Sequence, residues 1–299
     1  MVRRCGSWIA LASLLLLLMA WQSAAVPLTV LYTNDLHLRF ARLDSIARLI
    51  SQERASGAAV LLVDAGDAWH DFRLPTTAVW GADRMVEWMN RVGYDAMALG
   101  NHDLYWGSAR LAELAAAMEF PLLCANLQPI RPEAAVFSAS TTVVVGGVSV
   151  RIVGLTAEEL LPYSAYPGLR AVPAASALRR ELEAATEPAQ LRLVIGHLSL
   201  ADSMRLAALV PEIDVFVSGH SHETTADPIR VGETLIVQSG AFARRLGRLV
   251  IDVGTTAGEH RLLGHELLST EKAPETGRGL LQLVAVLGAA LVCGLLILL

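Results

Sequence analysis

Residues 215–225 read VFVSGHSHETT: an apolar run that stops at a glycine and two histidines, His220 and His222, separated by one serine. Alternation along an extended chain puts residues two apart on one face, so this spacing aims both imidazoles at one place and turns Ser221 away. The run reads as the end of a buried strand. Its reading decides the fold because four other runs end in the same manner.

The stretches LTVLYTND, AAVLLVDAGD, AMALGN and LRLVIGH are apolar runs cut off by polar or glycine residues, as is FPLLCAN, and all read as buried strands. Their ends carry Asp35 and His37, Asp67, Asn101 with His102 and Asp103, and His197. Between them LDSIARLISQERAS, AVWGADRMVEWMNRV, SARLAELAAAM and AASALRRELEAAT show helical spacing. TTVVVGGVSVRIVGL and IRVGETLIVQSG read as hairpins, with turns at Gly146-Gly147 and Gly232. The expectation is an α/β layered domain with a mixed sheet, or two, and no internal repeat or dividing linker.

Ligands of open α/β sheets collect outside the carboxyl ends of the strands. Asp35 or Asp67 taken alone could be a turn residue, and His70 and His265 read as surface or hydrogen-bonded core residues rather than ligands. Five strand ends bearing the same kinds of group make a site instead. Two carboxylates, an amide oxygen and several imidazoles form a mixed N/O donor set, suited to manganese, iron, zinc or cobalt rather than to calcium or copper(I). The set contains no thiolate, which argues against a structural zinc finger. Seven candidates, Asp35, His37, Asp67, Asn101, His197, His220 and His222, exceed one tetrahedral ion and suit two divalent metal ions. Two such ions beside two carboxylates keep about two positive charges, which calls for an anionic substrate, and paired metals clamp both oxygens of a phosphoryl transfer.

The chain's 299 residues have room for one large domain or two small ones. The mean hydropathy of +0.46 is high, and the two ends carry much of the excess. Residues 1–25 have Arg3 and Arg4, an apolar stretch and then Ser23, Ala24 and Ala25, the layout of a signal peptide; an uncleaved anchor is the alternative, and either exports the rest. Residues 26–268 form the expected catalytic domain, 269–279 a polar tether, and 280–299 an uncharged tail long enough to cross a bilayer. No basic residue follows that tail, so its exchange for a lipid anchor is the other reading. The expected location is extracytoplasmic and membrane-anchored. A net charge of −5 with scattered arginines gives no basic stripe, so no nucleic-acid partner is expected. Cys124 is the only cysteine between signal and tail, which leaves no internal disulfide in that region.

The order D-x-H, G-D, G-N-H-D, H, G-H-x-H resembles the calcineurin-like metallophosphoesterases. LYTNDLH, FPLLCANL, IVGLT and GETLIVQSGAFARRLGRLVIDV are similar to the metallophosphatase domain of the 5′-nucleotidase family, over about residues 28–254. That resemblance implies a layered β-sandwich of mixed sheets flanked by helices. It implies Asp35, His37 and His222 on one metal, Asp67 as the bridge, and Asn101, His197 and His220 on the other. His102 becomes the catalytic histidine, protonating the leaving oxygen or stabilising charge on the phosphoryl group, with a water activated by the metals as nucleophile.

Two departures stand out. The aspartate that family members place three residues after the histidine is Tyr105 here, and Asp103 is the nearby acid left to orient His102. The family's second domain, which stacks the nucleobase, is replaced in this sequence by tether and tail, so nucleotide specificity is not carried over. The resulting expectation is an exported, membrane-tethered phosphoesterase acting on a small phosphorylated substrate, nucleotides favoured. A non-catalytic binding scaffold on the same fold and a sulfur-ester hydrolase are the alternatives.

Overall fold

The computed structural model describes residues 25–70, 80–129, 137–157, 169–184 and 189–271. The expected signal peptide, apart from Ala25, and the tail over 280–299 lie outside the described residues, as does 272–279 of the tether. Among the described residues no helix is long and apolar enough to cross a membrane.

In chain order the strands are β1 (Val26–Thr33), β2 (Ala59–Asp64), β3 (Ala96–Ala98), β4 (Leu122–Leu123), β5 (Leu127–Pro129), β6 (Ser140–Val145) and β7 (Val148–Thr156). There follow β8 (Leu169–Ala171), β9 (Leu191–His197), β10 (Val215–Ser218), β11 (Ile229–Val231), β12 (Thr234–Val237), β13 (Arg245–Val253) and β14 (His260–Ser269). Two mixed six-stranded sheets, ordered β14-β13-β1-β2-β3-β4 and β11-β12-β10-β9-β7-β6, form the body, and β5 pairs with β8 in a small ribbon. Strands β1 to β4 run parallel to one another, as do β7, β9, β10 and β12, so the carboxyl ends within each set share an edge.

Period-two alternation explains the layering. Leu28, Val30 and Tyr32 of β1 join Leu61 and Val63 of β2 in a core with Val150, Ile152, Leu193, Ile195, Val215 and Val217 of the opposite sheet. Leu31 and Leu62, on the other face, pack with helices α1 (Phe40–Ala55) and α2 (Gly81–Val92) through Leu43, Ile46, Ile50, Met85 and Met89. Val153, Val194, Phe216 and Ile236 likewise turn outward against Ala177 and Leu206. Strands covered on both faces read as continuous apolar runs, which is why they are legible as buried strands. The architecture is the expected sandwich flanked by helices.

Helix α3 (Gly107–Ala117) follows a short 3-10 turn at Asp103–Trp106, α4 is Ala174–Glu183, and α5 is Leu200–Leu209. Helix α5 is not among the expected elements, although Ser199 caps it by accepting the Asp202 backbone N–H at 3.1 Å. Nor is β14, which pairs antiparallel with β13 along the edge of the first sheet. The fold extends slightly past residue 268: β14 ends at Ser269, and buried Thr270 donates to the Ala243 carbonyl.

Candidate dimetal site

Of the eight residues singled out as ligands or catalytic histidine, His197 is the last residue of β9 and the other seven lie on loops just past the carboxyl ends of β1, β2, β3 and β10. Five of the seven expected ligands, Asp35, His37, Asp67, His220 and His222, have positive φ between 47° and 68°. The left-handed backbone is uncommon for residues with a Cβ. It also changes how GHSH works. The strand stops at Ser218, and left-handed turns, rather than strand alternation, send the two imidazoles to different partners.

His222 goes to the β1 end: its Nε2 lies 3.2 Å from Asp35 Oδ1 and 3.3 Å from His37 Nε2. His220 goes to the β3 end, with Nδ1 3.1 Å from Asn101 Oδ1. His197 sits deeper and fully buried, its Nε2 3.0 Å from Asn101 Oδ1 and 3.1 Å from Asp67 Oδ2. Asp67 Oδ2 is the hub, because it also lies 3.9 Å from His37 Nε2 and 4.0 Å from His102 Nε2. Ligand atoms in each of the triads Asp35–His37–His222, His37–Asp67–His102 and Asp35–Asp67–His197 lie within 4.8 Å of one another.

Backbone contacts fix which atoms face inward. His37 Nδ1 donates to the His70 carbonyl at 2.7 Å, and His197 Nδ1 donates to the Ala65 carbonyl at 2.9 Å, which turns both Nε2 atoms into the cluster. Asp67 Oδ1 accepts the His102 backbone N–H at 2.8 Å. Asp35 Oδ2 accepts from Asn34 Nδ2 at 2.7 Å and from the His220 backbone N–H at 3.0 Å. Asp35 Oδ1, by contrast, is buried with no well-aligned hydrogen bond among the described residues, its polar neighbours being His222 Nε2 at 3.2 Å and His37 Nε2 at 3.7 Å. A buried carboxylate oxygen without a well-aligned hydrogen bond is costly, and a divalent cation at the point where it and the imidazole Nε2 atoms converge would satisfy it once those nitrogens give up their protons. The N/O donor set therefore fits two divalent metal ions, and it does not discriminate among manganese, iron, zinc and cobalt.

The electrostatics follow from burial and crowding. Burial would raise the Asp35 carboxyl, but the His222 and His37 imidazoles overcome it and hold the group well below the usual range. Burial raises Asp67 too, and His197 reverses the shift. Burial lowers His197, whereas Asp67 pushes it up to about 10 in the metal-free protein. His102 and His220 are both lowered, chiefly by burial.

Asp103 does a different task from the one its neighbourhood suggested. Its Oδ2 accepts the backbone N–H groups of Asp67 and Gly100, each at 2.9 Å, and Oδ1 accepts that of Trp69 at 3.3 Å. The carboxylate pins the β2 loop to the β3 loop. Burial and Asp67 push it up to about 7. The approach of those loops also explains Gly100, where a Cβ would stand 2.2 Å from Asp67 Oδ1.

Several supporting residues were not singled out from the sequence. Asn34 accepts from the Ser239 backbone N–H at 2.9 Å and from its hydroxyl at 2.6 Å, and its Nδ2 also reaches the Gly240 carbonyl, so it ties the β1 end to the loop after β12. Buried Asp64 accepts from Thr33 at 2.6 Å and from the Gly66 backbone N–H at 2.8 Å, bracing the turn into Asp67. Phe242 packs edge-on against His222 at 4.9 Å and tilted against His37 at 5.4 Å, with the Arg39 guanidinium 4.9 Å from its ring centre. Asn-Asp after the first strand was a local signal for Asn34; nothing local marked Phe242, which needs the loop after β12 to fold back onto the site.

Comparison with known proteins gives a consistent picture. Residues 28–224 match the family described as calcineurin-like phosphoesterase. The chain is 30% identical to mouse 5′-nucleotidase, over 90% of this chain and 54% of that protein, and 31% identical to the human 5′-nucleotidase, over 88% and 54%. The structure is similar to the crystal structure of a 5′-nucleotidase precursor from Thermus thermophilus, with a TM-score of 0.70 at 25% identity, covering 88% of this chain and 59% of that one. A sulfate thiohydrolase from the same genus shares the fold at a TM-score of 0.70 and 21% identity, over 81% and 56%. The chain thus spans about half the length of the curated relatives it matches.

Proposed function

Because the chain belongs to the calcineurin-like phosphoesterase family, we propose that it hydrolyses phosphate esters at the cluster described above. Small phosphorylated compounds are the substrate class, and the likeness to 5′-nucleotidases favours nucleotides among them. The observation that carries this reading is the buried Asp35 Oδ1, with no well-aligned hydrogen bond among the described residues, amid imidazole nitrogens delivered from both sheets.

Asp35, His37 and His222 would hold one metal, Asn101, His197 and His220 the other, with Asp67 Oδ2 between them. When bound, the two ions supply Lewis acidity toward the phosphoryl oxygens and lower the pKa of the attacking water. His102 stands beside the cluster, a quarter exposed, with its Nε2 toward Asp67 Oδ2. From there it meets the leaving oxygen and gives it a proton. Asp103, Asp64 and Asn34 keep the loops in place so that these groups need no rearrangement during the reaction.

The expected signal over residues 1–25 and the apolar tail over 280–299 support an exported domain tethered to a membrane. Fractionation and protease protection of the tagged full chain test that location; a soluble protein in the cytoplasmic fraction contradicts it. For the chemistry, the purified full chain is stripped with chelator, reloaded with each of the four metals and given p-nitrophenyl phosphate, its bis ester and a nucleotide panel. Turnover that depends on added metal is expected, and inertness with every metal and ester rejects the reading.

A further inference from the structure

We propose that His70 is the positioning residue of His102, through a hydrogen bond between the two imidazoles. The inference rests on the hydrolase reading above and concerns how that site presents its proton.

His70 lies three residues beyond Asp67, where the β2 loop passes in front of the β3 loop, and it makes two separate contacts. Its backbone carbonyl accepts from His37 Nδ1 at 2.7 Å, while its ring Nδ1 lies 3.4 Å from His102 Nδ1. One residue therefore touches a metal-ligating histidine with its main chain and the proton-bearing histidine with its side chain. The Tyr105 ring, 45% exposed, lies 5.3 Å from the His70 ring and 5.4 Å from the His102 ring, and so flanks both. Asp103, the acid next in sequence to His102, spends its oxygens on the backbone N–H groups of Asp67, Gly100 and Trp69.

The geometry constrains the protons. Two Nδ1 atoms facing each other share one hydrogen, so one donates and the other accepts. With His70 carrying its proton on Nε2, its Nδ1 accepts from His102 Nδ1–H. His102 Nε2 is then the atom that gains and gives a proton, and that atom faces Asp67 Oδ2 and the cluster. In the reaction, water oxygen bonds to phosphorus and the bond from phosphorus to the leaving oxygen breaks. The leaving oxygen takes the bond pair and the Nε2 proton, and the proton released by the water restores Nε2–H. His102 keeps its Nδ1–H on His70 throughout, so its ring does not rotate between the two halves of the cycle.

The test uses two aryl phosphates that differ only by a para-nitro group, p-nitrophenyl and phenyl phosphate, on the metal-loaded full chain. The p-nitrophenolate leaves without help, whereas phenolate needs a proton in the transition state. H70F removes the acceptor but preserves a ring and the backbone carbonyl; H70N offers an amide oxygen in its place. The expected result for H70F is a fall in kcat of about 100-fold or more on phenyl phosphate, a much smaller fall on the nitrophenyl ester, and metal content equal to wild type. H70N recovers a good part of the phenyl phosphate rate. A second readout is independent of turnover: in the metal-free protein, long-range 1H–15N spectra should show His102 as its Nδ1–H tautomer, and as a mixture in H70F.

Equal losses on both esters, or an unchanged His102 tautomer in H70F, overturn the inference and leave the hydrolase reading standing. A wild-type chain inert on both esters overturns the hydrolase reading and the inference with it. Circular dichroism on each variant excludes misfolding as the source of a loss.

Discussion

Asp35 Oδ2 accepts the backbone N–H of His220 at 3.0 Å, joining the end of β1 in one sheet to the end of β10 in the other across 185 residues of chain. The contact needs no metal. Asn34 with Ser239, and His197 with Ala65, tie the same two edges together by hydrogen bonds of the protein alone. The donor cluster is thus assembled by the sandwich, unlike small metal domains that fold only on binding.

Removing metal should therefore abolish turnover without unfolding the chain. Chelator-treated protein is expected to keep its far- and near-ultraviolet circular dichroism, to melt cooperatively at a lower temperature, and to regain activity on reloading. Loss of the near-ultraviolet signal after chelation would show that the metals hold the sheets together.

Asp67→Asn replaces the oxygen at the hub with a neutral amide. Activity should fall at least about 100-fold, with fewer than two metals bound per chain by elemental analysis. A variant that retains two metals and near-full turnover places the bridge elsewhere.

Metal uptake should release protons. Burial lowers the His197 imidazolium, but Asp67 at 3.1 Å outweighs it and pushes the group up to about 10. That proton must leave before Nε2 can bind a cation. Calorimetric titration at pH 8 in buffers of different ionisation enthalpy should report net proton release, and apparent affinity should rise with pH. The same shift has a stability consequence in metal-free protein. The folded value lies above the ordinary histidine value, so the stabilisation is complete below about pH 6.5 and is lost as pH rises through about 10. A thermal melt series between pH 7 and 10.5 on chelated protein should show that decline.

Asp103→Asn tests the pin between loops. An amide cannot accept from three backbone N–H groups as a carboxylate does, and its own N–H atoms would face donors. A loss of about 2–4 kcal/mol is expected from the broken buried network, read as the shift in denaturant midpoint at unchanged slope. Metal affinity should weaken as well, since both the Asp67 and Asn101 loops are released.

Gly100→Ala is the sharper probe of spacing. The added Cβ would stand 2.2 Å from Asp67 Oδ1 and 2.3 Å from the Asp67 backbone N, so the loop must move. Metal affinity should drop about 10- to 100-fold, measured by competition with a chromogenic chelator. Wild-type affinity in this variant would mean that the two loops have slack.

Much of this was readable because the site is built from strand ends, and apolar runs that stop at Asp, Asn or His announce themselves in one dimension. The roles were harder to read. GHSH was expected to work by strand alternation, but the backbone at His220 and His222 is left-handed, and that turn becomes evident only when the Asp35 loop is packed against it. Asp103 looked like a partner for its neighbour His102, yet its geometry belongs to Gly100 three residues earlier and to Asp67 across the sheet. Helix α5 was legible in principle, since Ser199 and Asp202 stand three apart ahead of an apolar face, the spacing of a capping box. The tie from Asn34 to Ser239 spans 205 residues, and no local pattern encodes it.

The left-handed backbone at Asp35, His37, Asp67, His220 and His222 has a bearing on laboratory evolution. Each position holds a side chain in a conformation that glycine or asparagine adopts more easily, at a cost of about 1 kcal/mol or more per residue. A random library sorted for heat resistance alone would be offered its relief at the donor positions themselves. Unless each round also screens for turnover, such a campaign would enrich sturdier folds that have discarded their chemistry.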